Sequence, residues 1–240
     1  MRSIMIRKDK IKVVAFDADD TLWDCQGHFE QVMQQLYEML VPWTGSREAS
    51  SRELFATERK NMPLLGFGTK AFTLSVLETA MHASHFQMPT EQLAQLQRLC
   101  YTLLELPATP LPEVKETLAA LAVRGGQPLC LVAFTKGELL DQEHKLQRSG
   151  LLPYFDHVEI TSDKGEAEFR SLCRKLGIAE EQLLMVGNSL KSDIAPALSV
   201  GAQAVYIPFH VTWELEFHDN FEHERMVQIA HFGELLSLLS

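Results

Sequence analysis

Apolar residues along this chain fall into two kinds of run, short continuous ones and longer ones with helical spacing, and their order divides the chain into three parts. The first short run is Val13-Val14-Ala15-Phe16, largely β-branched or aromatic, the pattern of a strand covered on both faces. It breaks at once into Asp17-Ala18-Asp19-Asp20. Between Trp23 and Leu106 no stretch has strand character. Helices are expected there at 31–41, with Val32, Leu36, Met39 and Leu40 on one stripe, at 47–60, at 70–84, and at 90–106 with Leu93, Leu96, Leu99 and Leu103 in register. Met62-Pro63-Leu64-Leu65-Gly66-Phe67-Gly68 marks a break between the second and third.

From Ala108 onward strands and helices alternate. A helix over 113–124 stops at Gly125-Gly126, and a buried strand follows at 128–134. Then come a helix at 137–149, a short strand at 156–160, a helix at 165–176, a strand at 183–186, a helix at 189–200 and a strand at 203–207. Residues 232–239 form a closing helix. With the first run this makes five strands joined by helices, hence an α/β fold with a doubly wound parallel sheet. The domain organisation expected is a core of residues 1–23 and 107–240 interrupted by a helical insertion over 24–106. An insertion placed just after the acidic strand end is positioned to act as a lid.

Charge narrows the function. The 240 residues carry a formal net charge of -10, which argues against a surface for nucleic acid polymers and leaves a small molecule as the partner. Four cysteines, Cys25, Cys100, Cys130 and Cys173, show no CxxC spacing and read as reduced thiols of a cytoplasmic protein. No secretory signal precedes the first strand and no apolar span is long enough for a membrane. His218, His223 and His231 lack zinc-ligand spacing. Oligomeric state leaves no mark in the sequence.

The chemistry is expected at strand ends, where open α/β sheets bind ligands. On an extended chain Asp17 and Asp19 point the same way, and two carboxylates that close repel unless a cation joins them or one keeps a proton. A hard divalent ion is the simplest remedy. Three further strand ends carry Thr135, Lys164 and the run Gly187-Asn188-Ser189-Leu190-Lys191-Ser192-Asp193. Lys164 opens a helix, where the dipole disfavours a cation, so a compensating anion is expected.

Asp17-Ala18-Asp19-Asp20-Thr21-Leu22 resembles the first motif, DxDx[TV], of the haloacid dehalogenase (HAD) superfamily. The other three strand ends resemble its later motifs, and the helical insertion its C1 cap, so the likeness spans nearly the whole chain. It implies a Mg2+-dependent phosphomonoester hydrolase acting on a small phosphorylated metabolite through an aspartyl-phosphate. By position, Asp17 is the nucleophile and Asp19 the general acid/base whose backbone carbonyl also touches the metal. Thr135 clamps phosphate and Lys164 stabilises its charge. Lys136 stands where the family often has Asn, as a substrate contact. Asn188 takes the place of an acidic metal ligand in motif four, leaving Asp17, Asp19 and Asp193 as charged ligands. Asp193 is expected to carry more of that load. Three negative charges then balance Mg2+ and Lys164. In the insertion, Gly66-Phe67-Gly68-Thr69-Lys70 is the loop expected to enter the site, with Lys70 toward the substrate's anionic end. Two alternatives stay open: a 2-haloacid dehalogenase of the same fold, which needs no metal and lacks the second Asp, and a non-catalytic HAD-like binding protein.

Overall fold

The computed structural model describes residues 6–123, 129–211 and 213–240. The chain divides into two compact units, one built from the chain through Asp24 with Ala108–Ser240, the other from Cys25–Pro107.

The first unit holds a six-stranded sheet of β1 (Val13–Phe16), β2 (Cys130–Lys136), β3 (His157–Thr161), β4 (Leu183–Gly187), β5 (Gln203–Tyr206) and β6 (Met226–Gln228). Their order is β3-β2-β1-β4-β5-β6 and every pairing is parallel. The direction of winding reverses at β1, between β2 and β4, which is the switch point where such sheets leave a crevice. All four residues of β1 are buried. On one face Val13 and Ala15 join Val132, Phe134, Leu183 and Met185 in a cluster with Phe169 and Leu172 of α7 (Glu166–Leu176) and Ala197 of α8 (Ala195–Val200). On the other, Phe16 meets Phe155 and Phe232, ring centroids 6.1 and 5.7 Å away, just before the closing helix α9 (Glu234–Leu239). Cover on both faces explains why these strands are continuously apolar. Among the described residues no helix is long and apolar enough to cross a membrane.

The expected five strands are one too few. Only Met226 of β6 is buried and charged residues run up to it, so three residues gave neither alternation nor an apolar run. Helix α5 (Val114–Ala122) ends before the expected Gly125-Gly126 stop, and both glycines, with the start of the expected strand at Pro128, lie outside the described residues. The expected helix at 189–200 is two elements: a π turn, Leu190–Ile194, runs into α8. Helix α6 (Leu139–Ser149) follows β2 as expected.

The second unit contains α1 (Gln26–Thr44), α2 (Arg47–Leu65), α3 (Thr69–Ala83) and α4 (Thr90–Tyr101), the last continued by a 3-10 turn, Thr102–Glu105. Leu36, Leu40, Leu54, Phe72, Val76, Leu96 and Leu103 fill its interior. Helix α2 runs through Pro63, and its stop is Gly66, whose N–H donates to the Met62 carbonyl. Proline within the last turn removes a single ladder bond, so the glycine and not the proline ends the helix.

One glycine links fold to chemistry. A Cβ on Gly187 would stand 2.3 Å from Asp193 Oδ2 and 2.5 Å from its Cγ. The end of β4 is bare so that a carboxylate can lie against it. Gly187→Ala is expected to lower stability by about 1–3 kcal/mol through overpacking, read as a fall in the urea midpoint at unchanged m-value.

Candidate active site

The carboxyl ends of β1, β2, β3 and β4 converge. The Asp17 N–H donates to the Val186 carbonyl at 2.9 Å, so the β1–β4 ladder holds the first acid at the strand mouth. Past it the chain turns back: Asp20 has φ 64°, a left-handed conformation that Asp tolerates, and its N–H donates to the Trp23 carbonyl at 2.8 Å.

At the centre lies Lys164, 3% exposed. Its ammonium donates to Asp17 Oδ1, to Asp193 Oδ1 at 2.5 Å and to the Phe134 carbonyl at 3.0 Å, and it lies 5.4 Å from the Phe134 ring centroid. The anion anticipated for a lysine at this helix start is therefore a pair of buried carboxylates. Glu168 reaches back to the Gly165 N–H at 2.9 Å and serves the helix end in the lysine's stead. Burial disfavours the charge on Lys164, but Asp17 and Asp193 outweigh it and hold the ammonium above its usual range. For Asp17 burial and the charge of Asp193 prevail over Lys164 and push the carboxyl up to about 7.

Asp17 Oδ2 accepts from Thr21 Oγ1 at 3.2 Å. Beside it sits the amide of Asn188. With its nitrogen turned to the mouth, Asn188 donates to Asp17 Oδ2 at 3.3 Å, to Thr21 Oγ1 at 3.1 Å and to the Asp19 carbonyl at 3.2 Å. Turned the other way, Oδ1 accepts from Thr21 at 3.1 Å. Asp193 completes the group from the π turn, its Oδ2 accepting from the Ser189 N–H at 2.9 Å. Thr135 is 1% exposed at the end of β2.

Two residues have partners that residue type alone did not indicate. The Asp19 carboxylate does not join Asp17 on Lys164: it accepts from Lys145 Nζ at 2.9 and 2.8 Å, from Gln142 Nε2 at 2.7 Å and from Trp23 Nε1 at 2.7 Å. Burial would raise its carboxyl, but Lys145, then Gln142 and Trp23, hold it below the usual range. The charge of Asp19 still acts on Asp17 and helps to raise its carboxyl, after burial and Asp193. Second, Lys136 lies in another polar cluster, donating to Ser192 Oγ at 2.7 Å and pairing with Glu216, which also accepts from Ser189 Oγ at 2.8 Å and Ser192 Oγ at 2.5 Å. Lys70 belongs to the helical unit, in the first turn of α3.

Sequence reasoning missed Lys145, Gln142, Trp23 and Glu216. For the first two the pattern emerges only in three dimensions. The buried face of α6 is Asp141, Gln142, Lys145, Leu146 and Ser149, an inward stripe that is mostly polar. Asp141 and Lys145 at i, i+4 have the spacing of a solvated surface pair, so nothing local distinguished them.

Comparison with known proteins agrees with this geometry. Over 208 residues the chain is 24% identical to a glyceraldehyde 3-phosphate phosphatase of Methanothermobacter thermautotrophicus, covering 84% of this chain and 88% of that one. It is 23% identical to the human N-acylneuraminate-9-phosphatase over 81% of each chain. A haloacid dehalogenase-like hydrolase from Xanthomonas campestris superposes with a TM-score of 0.83 at 26% identity, covering 99% of this chain and 96% of that one. The family model for haloacid dehalogenase-like hydrolases matches residues 11–201, and the chain belongs to that family.

Proposed function

We propose that the protein is a Mg2+-dependent phosphomonoester hydrolase acting on a small phosphorylated metabolite, with Asp17 as nucleophile. The observation that carries this reading is the buried Asp17 carboxylate, held at the switch point with one oxygen on Lys164 and the other facing Thr21 and Asn188. The relatives named above, both phosphatases of phosphorylated sugars or sugar acids by name, support the same class.

The chain's own donors suit magnesium. Asp17 Oδ2, the Asp19 carbonyl and Asn188, once its Oδ1 faces the mouth, are hard oxygen ligands gathered at one point. Asp193 would add its charge beside them. Bound there, Mg2+ would neutralise the incoming phosphate and screen the carboxylates from one another. Asp17 attacks phosphorus in line and becomes the acyl phosphate. Asp19 gives a proton to the departing alcohol, then takes one from the water that hydrolyses Asp17. Thr135 and Lys164 stabilise the equatorial oxygens. Lys136 is a substrate contact that Glu216 occupies in this structure. The helical unit acts as the cap, and Lys70 is assigned to the substrate's remote anionic end on the strength of its glycine-flanked loop. A cytoplasmic setting accords with four cysteines outside any disulfide.

Two outcomes test this. Hydrolysis of p-nitrophenyl phosphate should be lost with EDTA and reduced at least ~1000-fold by Asp17→Asn, the scale of removing a covalent nucleophile. Metal-independent halide release from 2-chloropropionate would instead identify a dehalogenase. The second outcome follows from the raised Asp17 carboxyl. Its folded value near 7 exceeds the ordinary 3.8, so in metal-free protein its contribution to stability is greatest below 3.8 and drains away as pH rises through about 7. In EDTA, Asp17→Asn should therefore be more stable than the parent, by an amount growing from about pH 4 to about pH 7 and reaching on the order of 1–3 kcal/mol. Mg2+ added at the upper pH should raise the melting temperature of the parent and leave that of the variant unchanged.

A further inference from the structure

A second buried lysine has no role in the chemistry just assigned. Lys145 is 2% exposed, on the inward face of α6. A buried ammonium is costly unless paired, and this one is paired twice, with Asp19 and with Asp141 at 3.3 Å. Two more donors from separate elements meet the same Asp19 carboxylate. Trp23 Nε1, from the turn after β1, takes Oδ1, and Gln142 Nε2 takes Oδ2 while also donating to the Lys136 carbonyl at 3.3 Å. The approach of Gln142 depends on Gly137, at φ 142°, where a Cβ would stand 2.9 Å from Gln142 Nε2.

Around Asp19 the arrangement is lopsided. Lys145 and Trp23 side chains are buried, whereas 27% of the Asp19 side chain remains exposed. Both carboxylate oxygens are held from the protein side, Oδ1 by Lys145 and Trp23 and Oδ2 by Lys145 and Gln142, while part of the side chain still meets solvent. A purely structural ion pair has no need of that exposure, but a group that must reach a leaving oxygen does.

Resting on the phosphatase reading, we propose that Lys145, with Gln142 and Trp23 beside it, is a positioning residue that aims the Asp19 carboxyl at the leaving-group oxygen. As Asp17 Oδ bonds to phosphorus, the electrons of the breaking P–O bond pass to the leaving oxygen. That oxygen takes a proton that Asp19 has accepted from the phosphomonoester monoanion, and the carboxylate so regenerated keeps Lys145 as its counter-ion. Lys145 touches neither phosphorus nor the leaving group in this scheme. Its effect is on direction and on the charge left behind.

A series of aryl phosphates separates this from a stabilising role. p-Nitrophenolate departs with little need of a proton, whereas phenol and p-methoxyphenol need one. Lys145→Met should lower kcat for phenyl and p-methoxyphenyl phosphate about 10-fold more than kcat for p-nitrophenyl phosphate, the scale of losing a partner that orients a reactive group, with the ratios of KM values unchanged. Gln142→Leu, which keeps the ion pair, should steepen the leaving-group dependence less, and Lys145→Arg should restore part of it. Equal losses across the series in both Lys145→Met and Gln142→Leu would overturn the proposal. Should Lys145→Met not fold, Gln142→Leu decides, and an unchanged slope there overturns it too. Failure of the parent reading looks different: wild-type protein inactive on every aryl phosphate, or turnover that survives Asp17→Asn, removes both claims. An active, Asp17-dependent enzyme with an unaltered slope removes only the role of Lys145.

Discussion

The site depends on one buried ammonium between two buried carboxylates. Lys164 is enclosed by Asp17, Asp193 and the Phe134 carbonyl, and none of the three charged residues is more than 7% exposed. Removing charges from water is expensive, and the attraction offsets it only where geometry and further hydrogen bonds are good. Here they come from fixed backbone: the Val186 carbonyl holds Asp17 through its N–H, and the Ser189 N–H holds Asp193. The trio still carries one negative charge too many, and the raised carboxyl of Asp17 expresses first its burial and then that surplus. An apolar sheet thus ends in a buried cluster with one negative charge in excess.

The structure redraws the charge count of the mouth. From residue types alone, Asp17, Asp19 and Asp193 draw on a single lysine and a metal. In three dimensions Asp19 pairs with a second lysine, Lys145, which it shares with Asp141, and Asp17 and Asp193 compete for Lys164. The absence of a fourth carboxylate at Asn188 is thus less consequential than it looks. Its amide still faces the Asp17 oxygen and the Asp19 carbonyl.

What was legible in the chain follows from where information is local. Asp17, Thr135, Lys164, Asn188 and Asp193 each stand where an apolar run stops or a helix begins, so residue type and place coincide. The doubly wound sheet was legible for the same reason. Lys145 and Gln142 were not, because a polar inward stripe on α6 has meaning only once the carboxylate it faces is known. The partnership of Lys136 with Glu216 spans 80 residues and carries no local signature. Strand β6 is too short for periodicity, and the proline of α2 stood for a stop that the following glycine supplies.

The π turn after β4 has a consequence for how this family's sequences can vary. Both the Asp193 N–H and the Ile194 N–H return to the Ser189 carbonyl, at 2.9 and 3.1 Å, so the backbone makes a four-residue and a five-residue closure from the same acceptor. An ordinary α turn accommodates one residue fewer between the same two anchors. Coil diameter can thus absorb a single-residue insertion or deletion, with the β4 end and the acid beyond it keeping their places. Tolerance of uneven motif length is built into the winding of the chain at this point, and an aligned gap there need not signal a lost ligand.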